Sequence, residues 1–260
     1  MIAERYGDIS VALKGHVAEV EIHRLPNNHV SVDLMRDLAN AFEAIDADGR
    51  VRAIVLASEG KVFCGGADLV RRDGLASGKP TMVNPLYVEA VRLFSCATPI
   101  IAAVQGAAIG AGLGLALVAD FRIVAQEARF AANFVKLGFH PGFGLSHTLP
   151  RVIGLQRANL MFQTGRRIRG EEALQWGLAD ELVPQEKLRA RAHELAAEIA
   201  ENAPLAVRST RATLRRGLAA AVKAATDHEF AEQEMLMKTA DFAEGVRAVN
   251  ERRPGNFTGK

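Results

Sequence analysis

The stretch from Ile100 to Asp120 reads IIAAVQGAAIGAGLGLALVAD, and it limits the fold of this chain more than any other segment. Its first 20 residues contain one strongly polar side chain, Gln105, and four glycines at 106, 110, 112 and 114. The length matches a membrane span of about 20 apolar residues. The composition does not, because Ala and Gly dominate and no aromatic or basic anchors flank the run. A buried strand, a tight glycine turn and a buried helix fit better. The expected order is a strand over Ile100–Val104, a turn at Gln105-Gly106 and a helix over about Ala111–Ala119.

The flanking segments extend this into an α/β pattern. Residues 9–13 and 17–22 alternate as two strands around Lys14-Gly15-His16, a hairpin signal. Leu34, Leu38, Phe42 and Ile45 recur at helical spacing within residues 32–45. Residues 51–58 read as a buried strand, 70–85 as a surface loop, 86–96 as a helix stopped by Pro99, and 121–125 as a strand. After about Glu186 the pattern is helical throughout. Pro204 stands in a first turn, and Asp241 with Glu244 resembles a capping box. The expected division is a core over residues 1–195 and a C-terminal helical region over 196–260.

Lys and Arg number 32 against 30 Asp and Glu, a net charge of +2. That balance argues against nucleic acid or an anionic membrane as the main partner. Cys64 and Cys96 are too few for a disulfide framework and lack metal-ligand spacing. The N-terminal residues MIAERYGDIS lack the pattern of a secretion signal, so the expected location is cytoplasmic, with no bound metal.

A glycine turn between strand and helix has two common uses. Gly110, Gly112 and Gly114 do not match the G-x-G-x-x-G spacing of dinucleotide sites. The other use is to aim backbone N–H groups at an anion. Phe63-Cys64-Gly65-Gly66-Ala67-Asp68 offers a second such turn.

Taken together, Phe63-Cys64-Gly65-Gly66-Ala67-Asp68-Leu69 and Ile109-Gly110-Ala111-Gly112-Leu113-Gly114-Leu115 resemble the enoyl-CoA hydratase/isomerase (crotonase) superfamily. Further matches are Phe139-His140-Pro141-Gly142-Phe143-Gly144, Leu149 to Gly154, Thr164-Gly165, Glu172 to Ala179, Leu182-Val183-Pro184, and Glu244 to Pro254. The resemblance runs from about residue 8 to residue 257. It implies a spiral of ββα units and a C-terminal helical region that assembles trimers, in some relatives paired into hexamers. It also implies a coenzyme A thioester as substrate, with no permanently bound cofactor.

By position, the resemblance assigns the oxyanion hole to the backbone N–H groups of Ala67 and Ala111. It places Arg24, Pro26, Asn27, Gly66, Asp68, Leu69, Gly110, Phe134 and Gly142 around the coenzyme A thioester. Hydratases of this family carry two glutamates that hold and activate a water; the matching positions here are Gly114 and Phe134. Phe143 fills a third place where some relatives put an acid. Neither Gly nor Phe transfers protons. His140 is the candidate replacement, since an imidazole titrates near neutrality. His147, Lys136, Asp73 and Glu89 are further candidates, Lys136 on the condition that residues 134–136 are extended. Asn133 can orient a water, and Cys64 is a packing residue rather than a nucleophile. The expected function is an enoyl-CoA hydratase/isomerase-type enzyme with altered proton handling. The alternatives are an acyl-CoA-binding protein without chemistry, or a related enzyme of thioester hydrolysis or C–C bond chemistry.

Overall fold

The computed structural model describes residues 1–67 and 83–260. Strands β1 (Arg5–Tyr6), β2 (Ile9–Lys14), β3 (Val17–Ile22), β4 (Ala53–Ser58), β5 (Ile100–Val104), β7 (Phe121–Ala125) and β10 (Glu181–Val183) form one sheet in that order. β2 and β3 pair antiparallel through the expected hairpin, with Lys14 opposite Val17 and Gly15 at φ 61°. A two-residue loop with positive φ matches the right-handed strand twist there. From β3 onward the neighbours are parallel.

The second sheet is small and holds β6 (Ala107–Ile109), β8 (Arg129–Ala131) and β9 (Arg167–Arg169). An isolated bridge ties Cys64 to Ala108 beside it. The chain therefore repeats one unit: a strand in the large sheet, a short extended piece at the small sheet, then a helix. This is the ββα spiral that the resemblance implies. β6 was not expected; the sequence reading ran from the turn at Gln105-Gly106 straight to the helix. Gly106 explains the detour, because a Cβ there would lie 1.9 Å from the Lys61 carbonyl oxygen. The lone polar residue of the run is a staple. Gln105 Nε2 donates to the Ser58 carbonyl at 2.9 Å and to Ser58 Oγ at 3.0 Å.

Helices α1 (Val32–Ala47), α2 (Pro85–Phe94), α3 (Ala111–Ala116), α4 (Leu145–Ile153), α5 (Leu155–Thr164) and α6 (Gly170–Trp176) follow in the first three quarters of the chain. Ser31 caps α1 by accepting from Leu34 N–H, and α1 buries Leu34, Leu38, Phe42 and Ile45 as its periodicity predicts. A 3-10 helix spans Asn133–Leu137. α7 (Leu188–Ala200) packs Leu188, Ala192 and Ala196 on the outer face of the large sheet, against Val55, Ile101 and Ile123. The expected boundary at 195/196 thus falls inside a helix that belongs to the core.

α8 (Pro204–Leu214), α9 (Leu218–Leu236) and α10 (Ala240–Asn250) complete the chain. Val222 and Phe230 of α9 join the main core, so this region is not a separate unit. Leu205, Leu214 and Met235 stay exposed, at 81%, 74% and 56%. The cap of α10 is Thr239, which accepts from Phe242 N–H, two residues before the expected Asp241. Asp241 instead accepts from the backbone N–H groups of Thr258 and Gly259, tying down the tail. No described helix is long and apolar enough to cross a membrane.

Candidate active site

Three chain segments interlock around the two glycine turns. Cys64 N–H donates to the Ala107 carbonyl at 2.9 Å, and Ile109 N–H returns to the Cys64 carbonyl at 3.0 Å. Gly65 N–H donates to the Asn27 carbonyl, and Val30 N–H to the Gly66 carbonyl. The approach is close enough that side chains are excluded. A Cβ on Gly112 would stand 2.1 Å from the Cys64 carbonyl oxygen. A Cβ on Gly66, which sits at φ 89°, would stand 2.7 Å from the Ile109 carbonyl oxygen and 3.7 Å from Ala111 N. The glycine spacing is thus a condition for bringing residues 66–67 against residues 110–111.

Ala111 is the first residue of α3, where a backbone N–H has no partner within the helix. Gly110 N–H before it is taken by the Ala131 carbonyl at 2.8 Å. Among the described residues, neither Ala67 N–H nor Ala111 N–H donates to a backbone acceptor outside regular elements. Both alanines line one cleft of about 410 Å³, together with Asn27, Gly66, Gly110, Phe134 and Gly142. Asp68, Leu69 and Asp73 lie outside the described residues.

The opposite wall is aromatic. Phe134 is buried and directs its ring at Gly110, with Cζ 3.6 Å from where a Cβ on that glycine would stand. Its ring packs tilted against Phe139 at 5.6 Å, and Phe139 packs edge-on to Phe242 of α10 at 5.3 Å. Gly114 abuts Phe143: a Cβ on Gly114 would lie 2.5 Å from the Phe143 Cδ1. Phe143 is fully buried and held at φ 63°. Its ring occupies the space that a side chain at 114 would need. No Asp or Glu stands among the described residues lining the cleft.

Among the described residues, the sequence-derived proton carriers lie elsewhere. His140 is outside the lining; its Nδ1 is 2.8 Å from the Pro141 carbonyl oxygen and its ring packs edge-on to His228. His147 sits on α4, where partial burial and the Arg151 charge push its pKa down. Lys136 is on the 3-10 helix, not an extended strand, so it does not share a face with Phe134; it packs on Gly165. Glu89 faces α1 and pairs with Arg92 and Arg36. Burial pushes the Cys64 thiol up to about 12, as suits a packing residue. Arg24, read as a phosphate partner, donates to Asp8 Oδ2 at 2.8 Å and to Ser31 Oγ. Pro26 is exposed outside the lining. Asn133 does line the cleft.

The structure adds groups that the sequence did not single out: His29, Tyr87, Arg167 and Gln233. Tyr87 OH donates to Gln233 Oε1 at 2.8 Å, and Gln233 Nε2 donates to the His140 carbonyl at 2.9 Å. Burial pushes the Tyr87 phenol above its ordinary range. One turn before Gln233, Glu229 reaches the start of α4. It accepts from Gly144 N–H at 2.7 Å, Ser146 N–H at 2.9 Å and Ser146 Oγ at 2.6 Å. Burial outweighs these bonds and raises its carboxyl to about 7. The signal for both was a Glu and a Gln inside an otherwise core-facing stripe of Val222, Thr226 and Phe230.

Comparisons with known proteins place the chain in a family. The family model described as enoyl-CoA hydratase/isomerase matches residues 12–260. A probable enoyl-CoA hydratase of Rhodobacter capsulatus is 39% identical over 217 residues, 82% of this chain and 84% of that protein. The crotonyl-CoA hydratase of Syntrophomonas wolfei is 32% identical over 90% of each chain. The crystal structure of an enoyl-CoA hydratase/isomerase from Pseudoalteromonas atlantica T6c superposes with a TM-score of 0.87 at 29% identity, covering 96% of this chain and all of that one. The motifs, the ββα spiral and these likenesses coincide over nearly the whole length, and the chain belongs to the enoyl-CoA hydratase/isomerase family of the crotonase superfamily.

Proposed function

We propose that the protein is an enzyme acting on acyl- or enoyl-coenzyme A thioesters, that it stabilises charge on the thioester oxygen with the N–H groups of Ala67 and Ala111, and that it hydrates simple enoyl thioesters poorly. The interlocked glycine turns carry this reading, because they hold two peptide N–H groups against one cleft. A preorganised donor of this kind is worth about 10²–10³ in rate. Water activation is a separate requirement, and the positions that would supply it hold Gly114, packed on Phe143, and Phe134. Coenzyme A enters as part of the substrate. The exposed Leu205, Leu214 and Met235 support a homotrimer through the C-terminal helices; a monomer by light scattering at micromolar concentration would contradict it.

The aromatic wall also favours a second reading, an acyl-CoA-binding protein with no turnover. Calorimetry with butyryl-CoA, free coenzyme A and butyrate tests the first part of both. Thioester binding well above that of butyrate is expected, and no thioester binding at millimolar ligand would remove both readings. Long incubation with crotonyl-CoA against a protein-free blank separates them: any enzyme-dependent conversion favours catalysis.

A further inference from the structure

His29 stands behind one of the two donors. Its Nδ1 lies 3.0 Å from the Gly66 carbonyl oxygen, and Val30 N–H donates to the same oxygen at 3.0 Å. A carbonyl only accepts, so Nδ1 carries the hydrogen. The other ring nitrogen, Nε2, is 3.3 Å from Asn27 Nδ2, which donates to it when the ring is neutral. The ring lies across Gly65, whose Cβ would come within 3.1 Å of His29 Cε1. This side chain is therefore fixed at both nitrogens and by the loop beneath it.

The carbonyl it holds belongs to the Gly66–Ala67 peptide, the unit whose N–H is the proposed Ala67 donor. That peptide is trans, so its carbonyl and its N–H point in opposite directions. Two donors on the carbonyl draw electron density to the oxygen and leave the N–H more positive. Hydrogen bonds in series strengthen one another by about 10–30% per bond. We propose that His29 is a positioning residue of the oxyanion hole: its Nδ1–H orients and polarises the Gly66–Ala67 peptide so that the Ala67 N–H binds a thioester oxygen more strongly. This rests on the reading of Ala67 and Ala111 as the oxyanion donors. If one donor is worth about 10²–10³, a 10–30% strengthening amounts to roughly a two- to eightfold effect on any step that builds charge on that oxygen.

The test uses the full-length protein, butyryl-CoA carrying ¹³C at the thioester carbonyl, and isotope-edited infrared spectroscopy. Polarisation lowers the carbonyl stretch relative to free butyryl-CoA. His29→Ala removes the donor, whereas His29→Asn keeps an N–H donor the same number of bonds from the backbone. The affinity of each variant for free coenzyme A, which has no thioester carbonyl, reports whether the site is intact. The expected result is a lowered stretch in the unmodified protein, a loss of about 5–15% of that lowering in His29→Ala, since one of two donors weakens by about 10–30%, and recovery in His29→Asn. Each stretch is read at saturating butyryl-CoA, so a change in coenzyme A affinity alone does not alter it. A lowered stretch that His29→Ala leaves unchanged would overturn the role of His29 while sparing the oxyanion hole. An equal loss in His29→Asn would overturn it too, because ring packing rather than the donor would then be responsible. No lowering in the unmodified protein would remove the oxyanion reading itself.

Discussion

The two walls of the cleft are specified by different means. The donor wall is made by backbone, and its residues are identified by what they lack. Gly66, Gly110 and Gly112 allow contacts that a single methyl group would block. The facing wall is made by side chains, Phe134 and Phe139 of one segment with the distant Tyr87, and is backed by α9 and α10. A backbone donor tolerates a change of side chain, because the N–H belongs to the main chain. A proton carrier does not, and neither Gly114 nor Phe134 carries a titratable group. On the proposed reading, one fold keeps its electrostatic stabilisation of an oxyanion while its acid/base chemistry is replaced or lost.

This contrast breaks most sharply at the donor wall. Gly112→Ala places a methyl group against the Cys64 carbonyl, with only backbone to give way. It is expected to cost about 3 kcal/mol or more in urea unfolding. Folded protein that remains should lose about 10²–10³ in any thioester conversion. Unchanged stability would mean that the two turns are not locked together.

The facing wall can be rebuilt. Gly114→Glu alone drives its side chain into the Phe143 ring and is expected to destabilise without adding hydration. The triple change Gly114→Glu, Phe134→Glu, Phe143→Gly vacates that space and relieves a non-glycine residue at φ 63°. If it folds, crotonyl-CoA hydration should rise by about 10² or more over the unmodified protein. A folded triple variant with no gain would show that Phe143 is not what closes this wall.

Glu229 tests how the wall is anchored. Its carboxyl is raised from 4.5 to about 7 by burial, so the folded state holds a proton that the unfolded state releases. Stability should therefore be greatest below pH 4.5 for this group's contribution and fall as pH rises to about 7, then level off. A loss on the order of 1–3 kcal/mol is expected across that window, and Glu229→Gln should remove the slope. A slope that survives in Glu229→Gln would place its origin elsewhere.

The smallest effect belongs to Arg24. Because Asp8 and Ser31 occupy its guanidinium, Arg24→Ala should change butyryl-CoA affinity by less than about threefold. A much larger loss by calorimetry would restore Arg24 as a phosphate partner.

The same contrast decides what was legible in the sequence. Glycine turns are local and carry their constraint in the residue type, so both donor turns, the β2–β3 hairpin and α1 could be read directly. β6, β8 and β9 span three residues each, too short for a period to show, and the second sheet was missed with them. Tyr87 and Gln233 meet across 146 residues of sequence, which no local pattern encodes. His140 was chosen for its place in a matched loop, but its ring turns to Pro141 and His228 instead of the cleft lining. His29 escaped notice because its partner is a backbone carbonyl 37 residues away.

The most direct test is a side-by-side hydration assay. The unmodified protein and a family member that carries both glutamates are given crotonyl-CoA at equal concentration, with the affinity of each for butyryl-CoA measured by calorimetry. The expected result is clear binding of butyryl-CoA by both and hydration by this protein at least about 10² slower, since general acid/base catalysis contributes about 10²–10⁴. Comparable hydration rates would contradict the claim that Gly114 with Phe143, and Phe134, have displaced the water-activating groups.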